Sequence, residues 1–332
     1  MNEKIFKESP QIILEYLGYM QTVKGKSPKT IDEYYLDLRT FFRYILQTKN
    51  LVKRNVEFSE ISISNIDIDL VKLVSLGDLY GYLNFVSSVR NNNASTRARK
   101  VASLKSFFYY LSSKVRLIRD NPAKELDVPK RKSSLPKFLT LEQSMKLLES
   151  VEGEFKERDF CILTLFLNCG MRLSELVNID ISDIRDDNTL TVTGKGNKER
   201  MVYLNEACLK ALNNYLIARE EHIEKLKNKN KKILDKNALF LSNRRKRISP
   251  KTVQYLVYKY IAFIHLGGQG YSVHKLRHTA ATLMYQYGNV DIRILKDILG
   301  HNNLGTTEIY THLSNKQIKE AISSNPLADF EK

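Results

Sequence analysis

Six side chains with reactive chemistry occur in order along the second half of the chain: Arg172, Lys195, His274, Arg277, His301 and Tyr310. Arg172 follows the Gly170-Met171 break, and Glu175 lies one helical turn on, where its carboxylate reaches the guanidinium. Alone, such a pair is an ordinary helix-surface ion pair. Lys195 stands between two glycines in GKGNKER. The GxxxxGK[ST] spacing of a Walker loop is absent, so nucleotide binding is unsupported. Alone, that lysine reads as an exposed turn residue; the other reading is a mobile tip that reaches into a cleft and donates a proton. His274 and His278 have the spacing of a helical zinc pair. HKLRH, however, has no glutamate at its second position, and Lys275 and Arg277 add charge that repels a dication. Those cations, together with a helix N-terminus at His274, favour a phosphate. The same helix end disfavours protonation of His274 and keeps it available as a base. His278 reads as a hydrogen-bonded core histidine that supports its neighbours.

These types meet one chemical need. A phosphodiester is anionic, so attack on it requires its oxygens to be neutralised, and arginine forks do this with permanent charge. A tyrosine hydroxyl with a pKa of about 10 needs cations and a base to become a nucleophile. A lysine supplies the acid for the leaving oxygen. With arginines carrying the charge, the chemistry calls for no metal and no cofactor.

Composition agrees with an anionic partner. The 332 residues carry a net charge of +16. Residues 1–132 hold 23 Lys and Arg against 14 Asp and Glu, and the remainder holds 30 against 23, so both halves are basic. That points to a polyanion touching both. Hydrophobic content of 42% is enough for cores, and the length favours two domains. No apolar run reaches the roughly 18 residues of a membrane span. The N-terminus lacks a signal-peptide cleavage pattern, so a cytoplasmic protein is expected. Cys161, Cys169 and Cys208 form no zinc or disulfide framework and read as buried thiols.

The elements that must position these residues are mostly helical. Ser27 and Pro28 start a helix over 27–47, with Ile31, Tyr34, Tyr35, Leu38, Phe41, Phe42 and Ile45 as its apolar stripe. Residues 51–75 read as an irregular insertion. Further helices fit 76–89 and 94–112, the latter with Val101, Leu104, Phe108 and Leu111 inward. VPKRKSSLPKFLT, with its prolines, serine pair and basic cluster, marks a boundary. The expected division is a helical domain over 1–127, a basic linker over 128–139 and a catalytic domain over 140–332. In the second half, helices fit 140–149, 156–169, 172–177, 205–221, 249–264, 274–287, 291–298, 306–313 and 315–322. Residues 189–204 form a hairpin. On the helix over 274–287, Leu276, Ala280, Leu283 and Tyr287 are the inward stripe. The run 222–236 is a helix extension or a loop. Gly300 ends one helix, and Gly305 starts the short one bearing Tyr310. The fold class is mainly α with a small antiparallel sheet in the C-terminal domain.

GMRLSELVNI, TVTGKGNKERMVYL, HKLRHTAATLM and LGHNNLGTTEIYTHL together resemble the four boxes of the tyrosine recombinases, the phage-integrase superfamily, and most closely its Xer-type members. SPKTIDEYYLDLRTFFRYI and STRARKVASLKSFFYYL resemble the family's helical core-binding domain. The resemblance implies a two-domain clamp on double-stranded DNA with paired recombination sites. It implies that Arg172 and Arg277 clamp the scissile phosphate, Lys195 is the acid for the 5′-oxygen, and His274 is general base or acid. His301 would hydrogen-bond the phosphate, and Tyr310 would form a 3′-phosphotyrosyl link. Strand exchange would pass through a Holliday junction in a homotetramer, or a heterotetramer with a related recombinase. The basic residues Lys29, Arg97, Arg99, Lys100, Lys105, Lys130 and Arg131 are the expected DNA contacts. Segments 51–75 and 222–236 are longer than the compact Xer pattern, and Gly305 stands where the family often has a capping serine. Two other readings of the same residues are a DNA-binding protein that lost the reaction and a type IB topoisomerase-like enzyme.

Overall fold

A computed structural model describes residues 9–53, 55–129, 137–194, 198–288 and 290–300. Lys130, Arg131, Lys195, His301, Gly305 and Tyr310, most of the linker over 128–139, and the helices expected at 306–313 and 315–322 lie outside those residues. The chain divides into two compact units, Met1–Ser133 and Ser134–Lys332.

The regular elements of the first unit among the described residues are helices: α1 Gln11–Thr22, α2 Pro28–Thr48, α3 Ile68–Lys72, α4 Leu76–Ser88 and α5 Ala94–Tyr109, which runs into a π-helical turn over Tyr110–Lys114. Sequence signals set the starts. The Ser27 hydroxyl accepts from the Thr30 amide at 3.3 Å, and Pro28 takes the first position, where no backbone donor is needed. Ser75 and Asp78 form a reciprocal capping box on α4, a device worth about 0.5–2 kcal/mol. The core is aromatic. Phe41 meets Phe42, Tyr82 and Phe108 edge-on, with centroids 5.2–6.2 Å apart. Residues 51–75 are not a loose insertion: they contain α3 and bury Ile61, Ile63, Ile66, Val71 and Val74. Isolated isoleucines at uneven spacing give no periodic signal, yet each fills the core from a non-repetitive backbone. Helix α1 was not assigned from the sequence; Ile13, Tyr16 and Leu17 bury its inner face completely.

The second unit holds α6 Leu141–Glu149, α7 Lys156–Cys169, α8 Leu173–Asn178, a 3₁₀ turn over Ile181–Asp183, strands β1 Thr189–Thr193 and β2 Glu199–Tyr203, then α9 Glu206–Asn228, α10 Pro250–Phe263, α11 Val273–Tyr287 and α12 Ile292–Leu299. The strands pair antiparallel with Val192 opposite Arg200. Helix α7 is the axis of the unit. Its run from Cys161 to Leu167 is buried on every side, so other elements surround it, and α9 and α11 pack against it. Cys169 and Cys208 face each other in this core with sulfurs 3.7 Å apart. Helix α9 continues through the first part of the 222–236 charge run and stops at Asn228. On α11, Leu276 and Ala280 are buried, but Tyr287 is exposed among the described residues. Ala281, Leu295 and Leu299 form a small separate core that fixes α12 on α11.

Candidate active site

Two helix ends and one strand bring the site together. Helix α7 ends at Gly170, whose φ of +58° is left-handed and whose missing side chain leaves room for Leu299. A Cβ at that position would lie 2.7 Å from Leu299 Cδ2. The chain therefore turns sharply and starts α8 two residues later, with Arg172 as its N-cap residue. The Arg172 amide donates to Glu175 Oε2 at 2.7 Å, and its Nη1 donates to Glu175 Oε1 at 2.6 Å. The carboxylate thus caps the helix and orients the guanidinium at once.

Arg277 rises from α11 on the other side. It is only 2% exposed, donating from Nη1 to the Gly170 carbonyl at 2.7 Å and from Nη2 to the Leu299 carbonyl at 2.5 Å. The carbonyls it serves would otherwise be orphans at two helix C-termini. His274 lies one turn earlier on α11, near its N-terminus, with its ring 4.6 Å from that of His278 in an edge-to-face arrangement. Arg172, His274 and Arg277 line one cleft of about 420 Å³, together with Ser174, Gln254 and Tyr258. No acidic side chain lines it among the described residues. Partial burial, then the cations Arg277, Lys275 and Arg172, hold the His274 imidazole below its ordinary pKa. The direction is the one expected from sequence, but the causes are desolvation and neighbouring charge.

Arg200 was not singled out from sequence. From β2 it donates Nε and Nη2 to the two oxygens of Glu175, at 3.3 and 2.8 Å, and Nη1 to the Ile298 carbonyl at 2.6 Å. Glu175 is fully buried between two guanidiniums. Burial alone would raise its pKa, but hydrogen bonds and charge from Arg200, then from Arg172, outweigh it and hold the carboxyl below its usual range. A signal for Arg200 was present: two residues before buried Val202, it shares the inward face of a strand, where an arginine needs a buried acceptor.

The expected DNA contacts of the first unit divide. Lys29 is exposed. Lys100 is buried, with Nζ 2.9 Å from Asp37 Oδ1, and Arg99 donates to Asp37 Oδ2 at 2.6 Å. Lys105 donates to the Leu126 carbonyl at 2.8 Å, and Arg97 donates to the Asn92 carbonyl at 2.7 Å. For Lys100 the expectation is corrected: its ammonium serves a buried carboxylate inside the unit. Helical spacing shows a basic cluster but not which cations an inward aspartate captures. No cluster of His, Cys, Asp and Glu suited to a metal occurs among the described residues, and none of their helices is long and apolar enough to cross a membrane.

The sequence profile of the phage integrase family matches residues 137–317. The chain is 54% identical over 319 residues to the tyrosine recombinase XerC of Caldanaerobacter subterraneus subsp. tengcongensis, covering 96% of this chain and 88% of that one. It is 34% identical over 322 residues to the XerC of Thermodesulfovibrio yellowstonii, covering 95% and 96%. A crystal structure of XerH site-specific recombinase bound to difH substrate, in a pre-cleavage complex, superposes with a TM-score of 0.62 at 26% identity, covering 89% of this chain and 78% of that one. With this likeness and with two arginines and a histidine converging on one cation-lined cleft, the chain belongs to the phage integrase family, as a Xer-type tyrosine recombinase that catalyses site-specific DNA recombination.

Proposed function

We propose that the Arg172–His274–Arg277 cleft receives the scissile phosphate of a recombination site in double-stranded DNA. The observation that carries this reading is the convergence of those three side chains on one cleft with no acidic lining residue among those described. Arg172 and Arg277 neutralise the non-bridging oxygens with permanent charge, Arg172 held by the Glu175 carboxylate and the Gly300 carbonyl and Arg277 by the Gly170 and Leu299 carbonyls. Tyr310 attacks phosphorus, its proton passing to His274, whose lowered pKa keeps it neutral and able to accept it. The bond to the 5′-oxygen breaks, Lys195 donates a proton to that oxygen, and His301 hydrogen-bonds the phosphate. The product is a 3′-phosphotyrosyl bond and a free 5′-hydroxyl. Attack by the 5′-hydroxyl of a partner strand reverses the chemistry and releases Tyr310. The bond energy stays in the phosphotyrosine, so neither ATP nor a metal enters the balance.

The helical unit over 1–127 is the second arm of the DNA clamp in this reading, joined to the catalytic unit by the basic linker 128–139. Strand exchange passes through a Holliday junction in a tetramer, of this chain alone or with a related recombinase, in the cytoplasm. The XerH structure, bound to its difH substrate, supports a DNA partner.

Purified protein mixed with a nicked target site is expected to become covalently joined to DNA, while Tyr310→Phe binds the same DNA without an adduct. An adduct formed by the Phe variant removes Tyr310 as the nucleophile. An adduct that never yields a product between two sites favours a one-duplex, topoisomerase-like reaction.

A further inference from the structure

Three consecutive carbonyls at the C-terminal edge of α12 each accept from a different arginine. Ile298 takes Arg200 Nη1 at 2.6 Å, Leu299 takes Arg277 Nη2 at 2.5 Å, and Gly300 takes Arg172 Nη2 at 2.6 Å. The last carbonyls of a helix lack internal partners and carry the negative end of its dipole, so cations are favoured there. Two of these arginines belong to the phosphate cleft. The third, Arg200, is absent from the cleft lining and stands behind it. Its fork joins both oxygens of Glu175 to the helix edge, and Glu175 in turn holds Arg172. Gly300, at a φ of +63°, makes room for this approach: a Cβ there would lie 2.9 Å from Arg200 Cδ.

We propose that Arg200 is a positioning residue of the recombination site: its guanidinium locks the Glu175 carboxylate and the α12 edge together, so that Arg172 and the chain leading into residue 301 are held in one register. This deepens the reading given under Proposed function and rests on it. Arg200 acts through Glu175 and α12 without touching the phosphate. Lysine does not replace it. One ammonium is a point donor and lacks the planar fork that spans a carboxylate and a carbonyl.

The test compares Arg200→Lys and Arg200→Met with the wild-type chain on a nicked target site. DNA affinity, the single-turnover rate of adduct formation and the pH profile of that rate are measured together. Both variants are expected to bind DNA as the wild type does, with the rate lowered about a hundredfold, the scale of a misplacement of roughly 1 Å. The acid limb of the profile is expected to move to higher pH, because Glu175 loses donors that offset its burial. The charged groups that face this carboxylate among the described residues are Arg172 from its own helix and Arg200 from β2. If Arg200→Met unfolds, Arg200→Lys carries the test by itself. Wild-type rates in a folded variant overturn the proposal. So does a loss of rate that follows stability alone with the acid limb in place. A wild-type chain that binds the site but forms no adduct overturns the recombination chemistry assigned to the cleft, and this inference with it.

Discussion

Each unit of the molecule buries one carboxylate against two cations, and the two arrangements behave oppositely. In the first unit, Asp37 meets Lys100 at 2.9 Å and Arg99 at 2.6 Å, and Arg99 is shared with Glu33 at 2.9 Å. Burial dominates there, and with Glu33 adding a like charge it outweighs the two cations, so the Asp37 pKa is raised. In the second unit, Glu175 accepts from two guanidiniums and also from the Arg172 amide at 2.7 Å. Those donors win over burial, and the pKa falls. Counting cations does not distinguish the two networks. The number and direction of donors on the carboxylate do. The Asp37 network ties α2 to α5 within a core. The Glu175 network holds a guanidinium at the mouth of a cleft, where a fixed orientation has a chemical use.

The comparison can be broken by removing each carboxylate's charge. Glu175→Gln removes the buried counter-charge of Arg200 and of the partly exposed Arg172 and is expected to cost about 3 kcal/mol in urea unfolding, with adduct formation lost as well. Asp37→Asn is expected to cost about 1–3 kcal/mol and to leave the chemical step unchanged in protein that remains folded. Equal costs would remove the distinction.

The pH dependence sharpens it, at about 1.4 kcal/mol for each unit of pKa shift. Glu175 has a folded pKa below its unfolded one. Its contribution is complete above the ordinary carboxylate value and is lost as pH falls through the folded value. Asp37 has a raised folded pKa, so its contribution is complete at low pH and is lost as pH rises through the folded value. The stability gap between wild type and Glu175→Gln should therefore narrow on acidification, and the gap for Asp37→Asn should narrow as pH rises. Gaps that move in the same direction in unfolding experiments would contradict the assignment.

Gly170→Ala places a Cβ at a left-handed φ, against Leu299, with Arg277 Cγ 3.9 Å away. A loss of about 1–2 kcal/mol is expected, together with slower adduct formation, whereas a neutral result would show that the α7–α8 turn does not set the arginines. The smallest effect on stability is expected for exposed Lys29→Ala, within about 0.5 kcal/mol. Its effect should appear instead as a decrease of about 1 in the salt slope of DNA binding. An unchanged slope would remove Lys29 from the contact set.

Much of the fold was legible because its signals are local. Ser27-Pro28 announced α2, the threonine-flanked hydrophobics around GKGNKER announced the hairpin, and Gly300 announced the end of α12. The failures share a cause. Residues 61–66 bury isoleucines from an irregular backbone that has no period to detect. Lys100 looks like its basic neighbours along the helix, yet Asp37, far away in sequence, captures it. Tyr287 continues the inward spacing of α11, yet among the described residues it is exposed.

By itself the sequence determined the set of reactive types, their order and the family, because these depend on residue identity and spacing along one chain. It also placed Arg172 beside Glu175, three residues away on the same turn. Only the tertiary structure decided that Arg200 completes this pair, that Arg277 is buried between two helix ends, and that three arginines share the edge of α12. Those contacts join residues 22 to 128 positions apart in the chain. Their partners are backbone carbonyls, which every residue carries and no side-chain pattern marks. Which of them is left without a helical partner is fixed by where helices end and pack.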